Sequence, residues 1–403
     1  MIRVLTLSKP YVASAYRNKL TELASLPDIA SGLIAPYAWG NQKWEDSGSN
    51  REQTLWTRRL NIHLNGKNHF HFYRGLEKAV REFKPDIFNI EEEHYSVVTF
   101  QACRIARKLG AIPVFYTWQN IYKDYPPPFR WIEQYVFRCC PASVTGNSEA
   151  TDVLRRKGYR GIIRQIPQMG VEIERFTPDD LSELTRQGMK AKLGLDPNAF
   201  WVMFAGRLVE EKGVQDLLRA LELIATSQAK VISPARTNHR STVKALVLGG
   251  GPYAAQLQLQ AKDLIAVDRV RFMDAVPSRD VALYLQACDV LCLPSLTRSN
   301  WKEQFGRILV EAMAAGAICI GSSSGEIPVV IGDVGLVFPE GDVPALADAI
   351  QKIAGDVEKR SHLREAAMAR VNDCYSNRVV AEEFARLFRE LKRQDNQKNF
   401  ANN

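Results

Sequence analysis

No stretch of this 403-residue sequence stays apolar for the ~18–20 residues that a membrane-spanning helix requires. The opening segment, MIRVLTLSKPYVASAYRNKL, lacks the long apolar core of a signal peptide and reads as a strand followed by a loop. Both absences favour a cytoplasmic protein, or one lying against the inner membrane surface. Cysteine is sparse: seven residues, an odd number, with no CxxC pair, exclude a disulfide framework. Cys288, Cys292 and Cys319 fall inside apolar runs and read as buried small hydrophobes, and Cys139 and Cys140 are adjacent. The six histidines are scattered except for His69 and His71. In an extended stretch those two would face the same way, yet no third ligand stands nearby, so no metal site is expected. Internal repeats and low-complexity segments are also missing.

What remains is the composition of a globular protein, 46% hydrophobic and 24% charged. That is too apolar for disorder and too evenly charged for a fibre. At roughly 100–200 residues per domain, the length gives two to three domains. Lysine and arginine outnumber the acids by 53 to 45, for a formal net charge of +8. This balance suits an anionic partner: nucleic acid, an acidic membrane or a phosphorylated small molecule. A nucleic-acid binder predicts cations interleaved with exposed aromatics on one face, whereas here they are spread along the whole chain.

The recurring pattern is a short β-branched run, a turn, then a helical run. In the first half, residues 2–8, 86–92, 112–118, 142–146 and 162–167 read as buried strands. In the second half, 200–206, 244–250, 269–275, 289–295, 317–323 and 335–339 do so. Strands alternating with helices predict an α/β fold with parallel sheets covered on both faces. The polar stretch 176–200, with Pro178 and Pro197, reads as the joint between two doubly wound domains, placed near 168–198. Residues 379–394 form an amphipathic helix ending in a polar, disordered tail over 395–403, and 227–244 reads as a basic surface loop.

In parallel α/β sheets, ligands bind at the carboxyl ends of the strands. The first strand of the second half runs into FAGRLVEEKG, placing Arg207 and Lys212 at the positive end of a helix dipole. Two such cations can hold a diphosphate without a divalent metal. The second strand ends in VLGGGPY, whose glycines allow close backbone approach but do not match G-x-G-x-x-G. After the strand that ends at Leu293 comes a loop with Trp301 and Glu303. Gly306 then opens a helix bearing Glu311. A carboxylate before that helix suits sugar hydroxyls, and one within it suits a ribose; a capping Glu303 and a solvent-facing Glu311 are the plain alternative.

GRLVEEKG, VLGGGPY, PSLTRSNWKEQFGRILVEAMAAG and EIPVVIGDVGLVFPEGD occur in one order and spacing. They resemble the C-terminal half of retaining glycosyltransferases of family four (glycosyl transferases group 1), which have the GT-B fold. That resemblance implies two Rossmann-like domains facing each other across a cleft: an acceptor-side domain over 1–170, with the helix 377–394 packed back on it, and a donor-binding domain over 171–376. It implies transfer of a sugar from a nucleotide diphosphate sugar to an acceptor hydroxyl of a saccharide or lipid-linked glycan, with retention of configuration and without metal or cofactor. Such work belongs to polysaccharide, glycolipid or glycoconjugate biosynthesis. Arg207 and Lys212 then grip the donor diphosphate, Glu303 the sugar and Glu311 the ribose. Gly170, Gly206, Gly250, Val276, Gln304, Phe305 and Gly306 complete the donor site. Asn120 stands where the family commonly has a histidine and could hydrogen-bond a sugar without exchanging protons. Val329 stands where many members have a glutamate, and SKPYVASAY replaces a glycine pair.

On the acceptor side the candidates are Lys9 and, in the loop EEEHYS (91–96), Glu93 or His94; a solvated acidic loop is the plainer reading. The aromatic, proline-rich segment 122–135 reads as a wall of that site or as a rigid loop with core aromatics. The basic segment 72–84 reads as an exposed helix that could touch anionic lipid. An epimerase or phosphorylase on the same scaffold, and a basic nucleic-acid-binding protein, are the alternatives in function.

Overall fold

The computed structural model describes all residues except 47–51, 53, 179, 181, 231–241, 279 and 402–403. The chain divides into two units, Met1–Glu172 with Tyr375–Asn403, and Ile173–Cys374.

The first unit is built on a seven-stranded sheet. Its strands are β1 (Ile2–Leu7), β2 (Ile29–Pro36), β3 (Trp56–Leu60), β4 (Ile87–Ile90), β5 (Ile112–Thr117), β6 (Ala142–Thr145) and β7 (Ile162–Gln165). They are all parallel, in the order β7-β6-β5-β4-β1-β2-β3. Five of these strands match expectation, but β2 and β3 lie in a region read as having none. Helices α1 (Asn18–Ala24), α2 (Leu76–Phe83), α3 (Val97–Leu109), α4 (Phe129–Cys139) and α5 (Ser148–Arg156) connect the strands. On one face α2, α3 and α4 bury Val80, Phe83, Val98, Ala102 and Val136 with Leu5, Phe88 and Phe115. The segment read as an exposed basic helix is thus half-buried: it starts only at Leu76, and its apolar side belongs to this core.

Helices α6 (Glu183–Lys192), α7 (Val214–Lys230), α8 (Arg307–Ala314) and α9 (Asn377–Ala401) follow along the chain. The last of these covers the opposite face of the first sheet. Val380, Ala381, Phe384, Phe388 and Leu391 recur at helical spacing and pack on Val4, Ile29, Ile87, Val114 and Val144. Each large apolar side chain buried in this way contributes about 1.5–3 kcal/mol. The helix runs through the polar residues after 394 as far as Ala401, where a disordered tail was expected. A helix already nucleated extends at little cost per residue.

The second unit has a six-stranded sheet of β8 (Phe200–Ala205), β9 (Val243–Leu248), β10 (Val270–Met273), β11 (Val290–Leu293), β12 (Ile318–Ser322) and β13 (Leu336–Phe338). They are parallel in the order β10-β9-β8-β11-β12-β13. Strands β8, β9, β11 and β12 are buried on both faces, as a sheet covered by helices on both sides requires. The polar stretch read as a joint is helical over α6 and belongs to this unit. Lys190 donates to Asp289 Oδ2 at 2.8 Å and Arg186 to the Gly316 carbonyl at 2.9 Å, both from buried positions. Of the loop expected at 227–244, residues 231–241 lie outside the described residues, and its ends are α7 and β9. Among the described residues no helix is long and apolar enough to cross a membrane.

Candidate active site

In the second unit the strand order reverses between β8 and β11, which is where an open α/β sheet leaves a crevice for a ligand. The chain leaves β8 through Gly206 and Arg207, both exposed, and makes one 3-10 turn over Glu210–Lys212 before α7. Gly213, at φ +70°, sets the entry to α7. A Cβ there would lie 1.8 Å from the Pro294 carbonyl oxygen, so only glycine lets this turn press against the exit of β11. The two exits are tied by the Leu296 amide donating to the Glu211 carbonyl at 2.8 Å. Gly250 follows β9, and its carbonyl accepts from the Leu208 amide at 2.9 Å. Its α-carbon faces open space. Val276 lies in the loop after β10 and is half-buried.

Lys212 and Glu303 meet at this reversal. The Lys212 ammonium donates to Glu303 Oε2 at 2.6 Å and lies 5.1 Å from the centre of the Trp301 ring. Ser295, fully buried at the end of β11, donates its hydroxyl to the same carboxylate oxygen at 2.9 Å. Oε1 of Glu303 carries no hydrogen bond among the described residues. Glu303 therefore neither caps a helix nor lies in solvent: it is held through one oxygen, and the other carries no bond among the described residues. The Arg207 guanidinium has no hydrogen-bond or ion-pair partner among the described residues.

Gly306, at φ +72°, precedes α8, whose first turn follows Gln304 and Phe305. Glu311 sits one turn into α8, where Arg307 Nε donates to its Oε1 at 2.9 Å. Of the expected donor residues, Lys212 and Glu303 are in direct contact. Gly206, Arg207, Gly250 and Val276 stand at strand exits, Gln304, Phe305 and Gly306 just before α8, and Glu311 on it, all in the same unit. Sequence reasoning missed Ser295, and took Thr297 only as the start of the loop to Lys302 whose shape would set the sugar. Thr297 bonds Glu340 Oε1 at 2.7 Å and Ser324 Oγ at 3.0 Å, bracing the Trp301 loop. The polar residues immediately after the apolar run DVLCL were the available signal.

The other candidates lie in the first unit. Its crevice, between β1 and β4, is filled by the protein's own charges. Lys9 pairs with Glu92 through both its backbone amide and its ammonium. Tyr11 donates to Glu91 Oε2 at 2.6 Å, Asn89 to Oε1 at 2.9 Å, and the buried Lys19 ammonium also reaches Oε1. The loop 91–96 is thus mostly buried, where a solvated acidic loop was the plainer expectation. His94 is fully buried, which closes it to contact with an acceptor; its Nε2 faces Glu133 Oε1 at 3.0 Å. Glu93 remains partly exposed and accepts from the Trp118 amide at 2.9 Å and from Thr117. Asn120 is buried, and its Nδ2 has no partner among the described residues. A Cβ on Gly170 would lie 2.5 Å from the Asn377 nitrogen, so packing against the start of α9 accounts for that glycine.

His69 and His71 occupy a turn and its exit, not an extended stretch. They diverge, His69 packing on Tyr95 at 5.0 Å and His71 on Trp39 at 4.8 Å between ring centres. Burial lowers the affinity of both imidazoles for a proton. Among the described residues no group of three or more His, Cys, Asp or Glu is placed to hold a metal ion.

Residues 185–370, most of the second unit, match the family model for glycosyl transferases group 1. The D-inositol 3-phosphate glycosyltransferase of Streptomyces avermitilis is 27% identical over 324 residues, covering 75% of this chain and 66% of that protein. The enzyme of the same name from Kribbella flavida is 26% identical over 316 residues, covering 74% and 70%. The chain thus spans about two thirds of the length of these curated relatives. Among solved structures, Anabaena HepE in complex with UDP superposes with a TM-score of 0.72 at 16% identity, over 97% of this chain and 100% of that one. Sucrose-phosphate synthase from Thermosynechococcus elongatus gives 0.68 at 17% identity, over 98% and 100%. The likeness establishes the architecture: this chain has the GT-B fold of two Rossmann-like parallel-sheet domains. With the family match over 185–370, the comparisons support a glycosyltransferase of the GT-B type.

Proposed function

We propose that this protein moves a sugar from a nucleotide diphosphate sugar to an acceptor hydroxyl, with retention of configuration and without a metal ion. The observation that carries the reading is the Lys212–Glu303–Ser295 contact, which leaves Glu303 Oε1 open beside a lysine at the β8–β11 reversal. The barrier in such a transfer is cleavage of the anomeric C–O bond as charge builds on the departing diphosphate. Arg207, Lys212 and the amino end of α7 supply positive potential there without reorganising, a contribution of several kcal/mol in a water-poor site. Glu303, fixed through Oε2, accepts from a donor-sugar hydroxyl through Oε1. Glu311 serves the ribose through the oxygen that Arg307 does not occupy. UDP, present in the HepE complex, is the first nucleotide to try.

Retention follows the family resemblance alone; with no side chain standing out as a covalent nucleophile, a front-face displacement fits it, the leaving phosphate oxygen taking the proton of the acceptor hydroxyl. The acceptor is a saccharide or lipid-linked glycan, placing the enzyme in glycan or glycoconjugate synthesis at the cytoplasmic side of a membrane. Incubation with UDP-sugars in the presence of a chelator tests the core claim: UDP release that depends on Lys212 supports it. The proposal fails if no nucleotide sugar is bound or turned over. The anomeric proton of the product, read by NMR, decides stereochemistry.

A further inference from the structure

A second, polar pocket lies wholly within the first unit, beside the loop 91–96. It encloses about 360 Å³ and is lined by the loop after β5, one face of α4 and the end of α5. Arg130, Glu133, Gln134 and Phe137 recur at helical spacing along α4, so that one face of it forms a wall. Tyr122 and Tyr125 form another, and Tyr125 is fixed by stacking on Tyr95 at 4.2 Å between ring centres.

The charges of this pocket are unevenly satisfied. Glu133 is neutralised by Lys157, whose ammonium donates to its Oε1 at 2.8 Å and to the Lys123 carbonyl at 2.6 Å. The Arg156 guanidinium lies over the Tyr122 ring at 4.7 Å and, like that of Arg130, has no hydrogen-bond or ion-pair partner among the described residues. Among the described residues, the Asp124 carboxylate accepts only from the Tyr122 hydroxyl, at 3.1 Å. Two unpaired guanidinium groups therefore stand with one half-used carboxylate, an amide and two tyrosine rings.

From this we infer that the pocket binds an anionic saccharide, its oxyanion on Arg130 and Arg156 and its ring and hydroxyls against Tyr122, Asp124 and Gln134. Guanidinium forks match carboxylate and phosphate oxygens in pairs. A bare anion would leave Asp124 and the rings unused, and a neutral sugar would leave both arginines unpaired. The volume lies at the small end of ligand pockets, which suits one or two sugar rings. Binding here is read without a nucleotide sugar and so stands apart from the transfer reaction.

The test is calorimetric titration of the full chain with glucose 6-phosphate, glucuronate, glucose and inorganic phosphate. At least one of the two anionic sugars binds tenfold or more tighter than glucose and phosphate, and the better of them names the oxyanion. Arg130→Gln and Arg156→Gln each weaken that binding by about tenfold, the scale of one charge-assisted contact, while UDP affinity stays unchanged. Both arginines are exposed and unpaired, so these variants keep the wild-type melting temperature. Equal affinity for glucose and the anionic sugars, millimolar titrations without heat, or an Arg130→Gln/Arg156→Gln double variant that binds as well as wild type would each overturn the assignment. None of these outcomes bears on whether UDP-sugars are turned over.

Discussion

Replacing Lys212 by alanine separates what its pair does for the fold from what it does for chemistry. The side chains of Lys212 and Glu303 are 21% and 9% exposed. The pair therefore lies between a surface ion pair, worth about 0–1 kcal/mol, and a buried one, whose breakage costs about 3–5 kcal/mol. Lys212→Ala leaves Glu303 with only the Ser295 hydroxyl, and a loss of about 1–3 kcal/mol is expected. At roughly 2–4 °C per kcal/mol for a domain of this size, the second unit should melt a few degrees lower. Turnover of the nucleotide sugar should fall by ~100-fold or more, the scale of losing one preorganised donor. The informative comparison is with the double variant Lys212→Ala/Glu303→Gln, which removes both charges. It should regain most of the melting temperature and none of the turnover. Recovery of turnover together with stability would show that the pair only supports the loop, and the electrostatic reading would be refuted.

Gly213→Ala puts a Cβ against the Pro294 carbonyl at a left-handed residue, a conformation that alone costs about 1–2 kcal/mol. It should lower the melting temperature and, by displacing Lys212, the turnover too. A variant that melts within a degree of wild type would contradict the close approach. Lys19→Met strands Glu91 in the core of the first unit, so urea denaturation should show a loss of about 3–5 kcal/mol, largely restored by adding Glu91→Gln. Retained stability in Lys19→Met alone would count against the buried pair. Burial, the leading cause, holds the His71 imidazole below its usual value near 6.5, with Glu92 opposing and Lys9 adding to the shift. A depressed folded-state value means that the unfolded chain binds the proton first. The stability is present above pH ~6.5 and is lost as pH falls through the lower folded value. Melting curves between pH 7.5 and 5 should show this slope, and His71→Asn should flatten it. An unchanged slope in the variant would assign the acid loss to other groups.

The alternation of strands and helices was legible because doubly covered strands read as apolar runs. The two missed strands have local reasons. β2 is IASGLIAP, its apolar run interrupted by Gly32 and closed by Pro36. A Cβ on Gly32 would lie 2.6 Å from the Phe83 ring, so packing from α2 demands the very residue that breaks the pattern. β3, WTRRL, ends the sheet with three of its five residues exposed. Charge on an edge strand discourages pairing with another chain, and it also makes the strand read as a loop.

The site shows the sharper limit. In both units a lysine follows an early strand and meets a glutamate from a later loop at the point where strand order reverses: Lys9 with Glu92, and Lys212 with Glu303. The sequence favours the second pair through the motif around Glu303 and reads EEEHYS as a solvated acidic loop, but it does not show what makes the two differ. The difference is how far each carboxylate is already engaged. Glu91 has both oxygens bonded within the first unit, by Tyr11 on one side and by Asn89 and Lys19 on the other, and Glu92 takes Lys9 with both of its own. Those bonds offset the desolvation of the buried charges and leave neither carboxylate with an unengaged oxygen. Glu303 has one oxygen committed and one open, beside a lysine that is still partly exposed. The same residue types therefore close one sheet's crevice and leave an unengaged carboxylate oxygen at the other, which is the opening the proposed sugar contact requires.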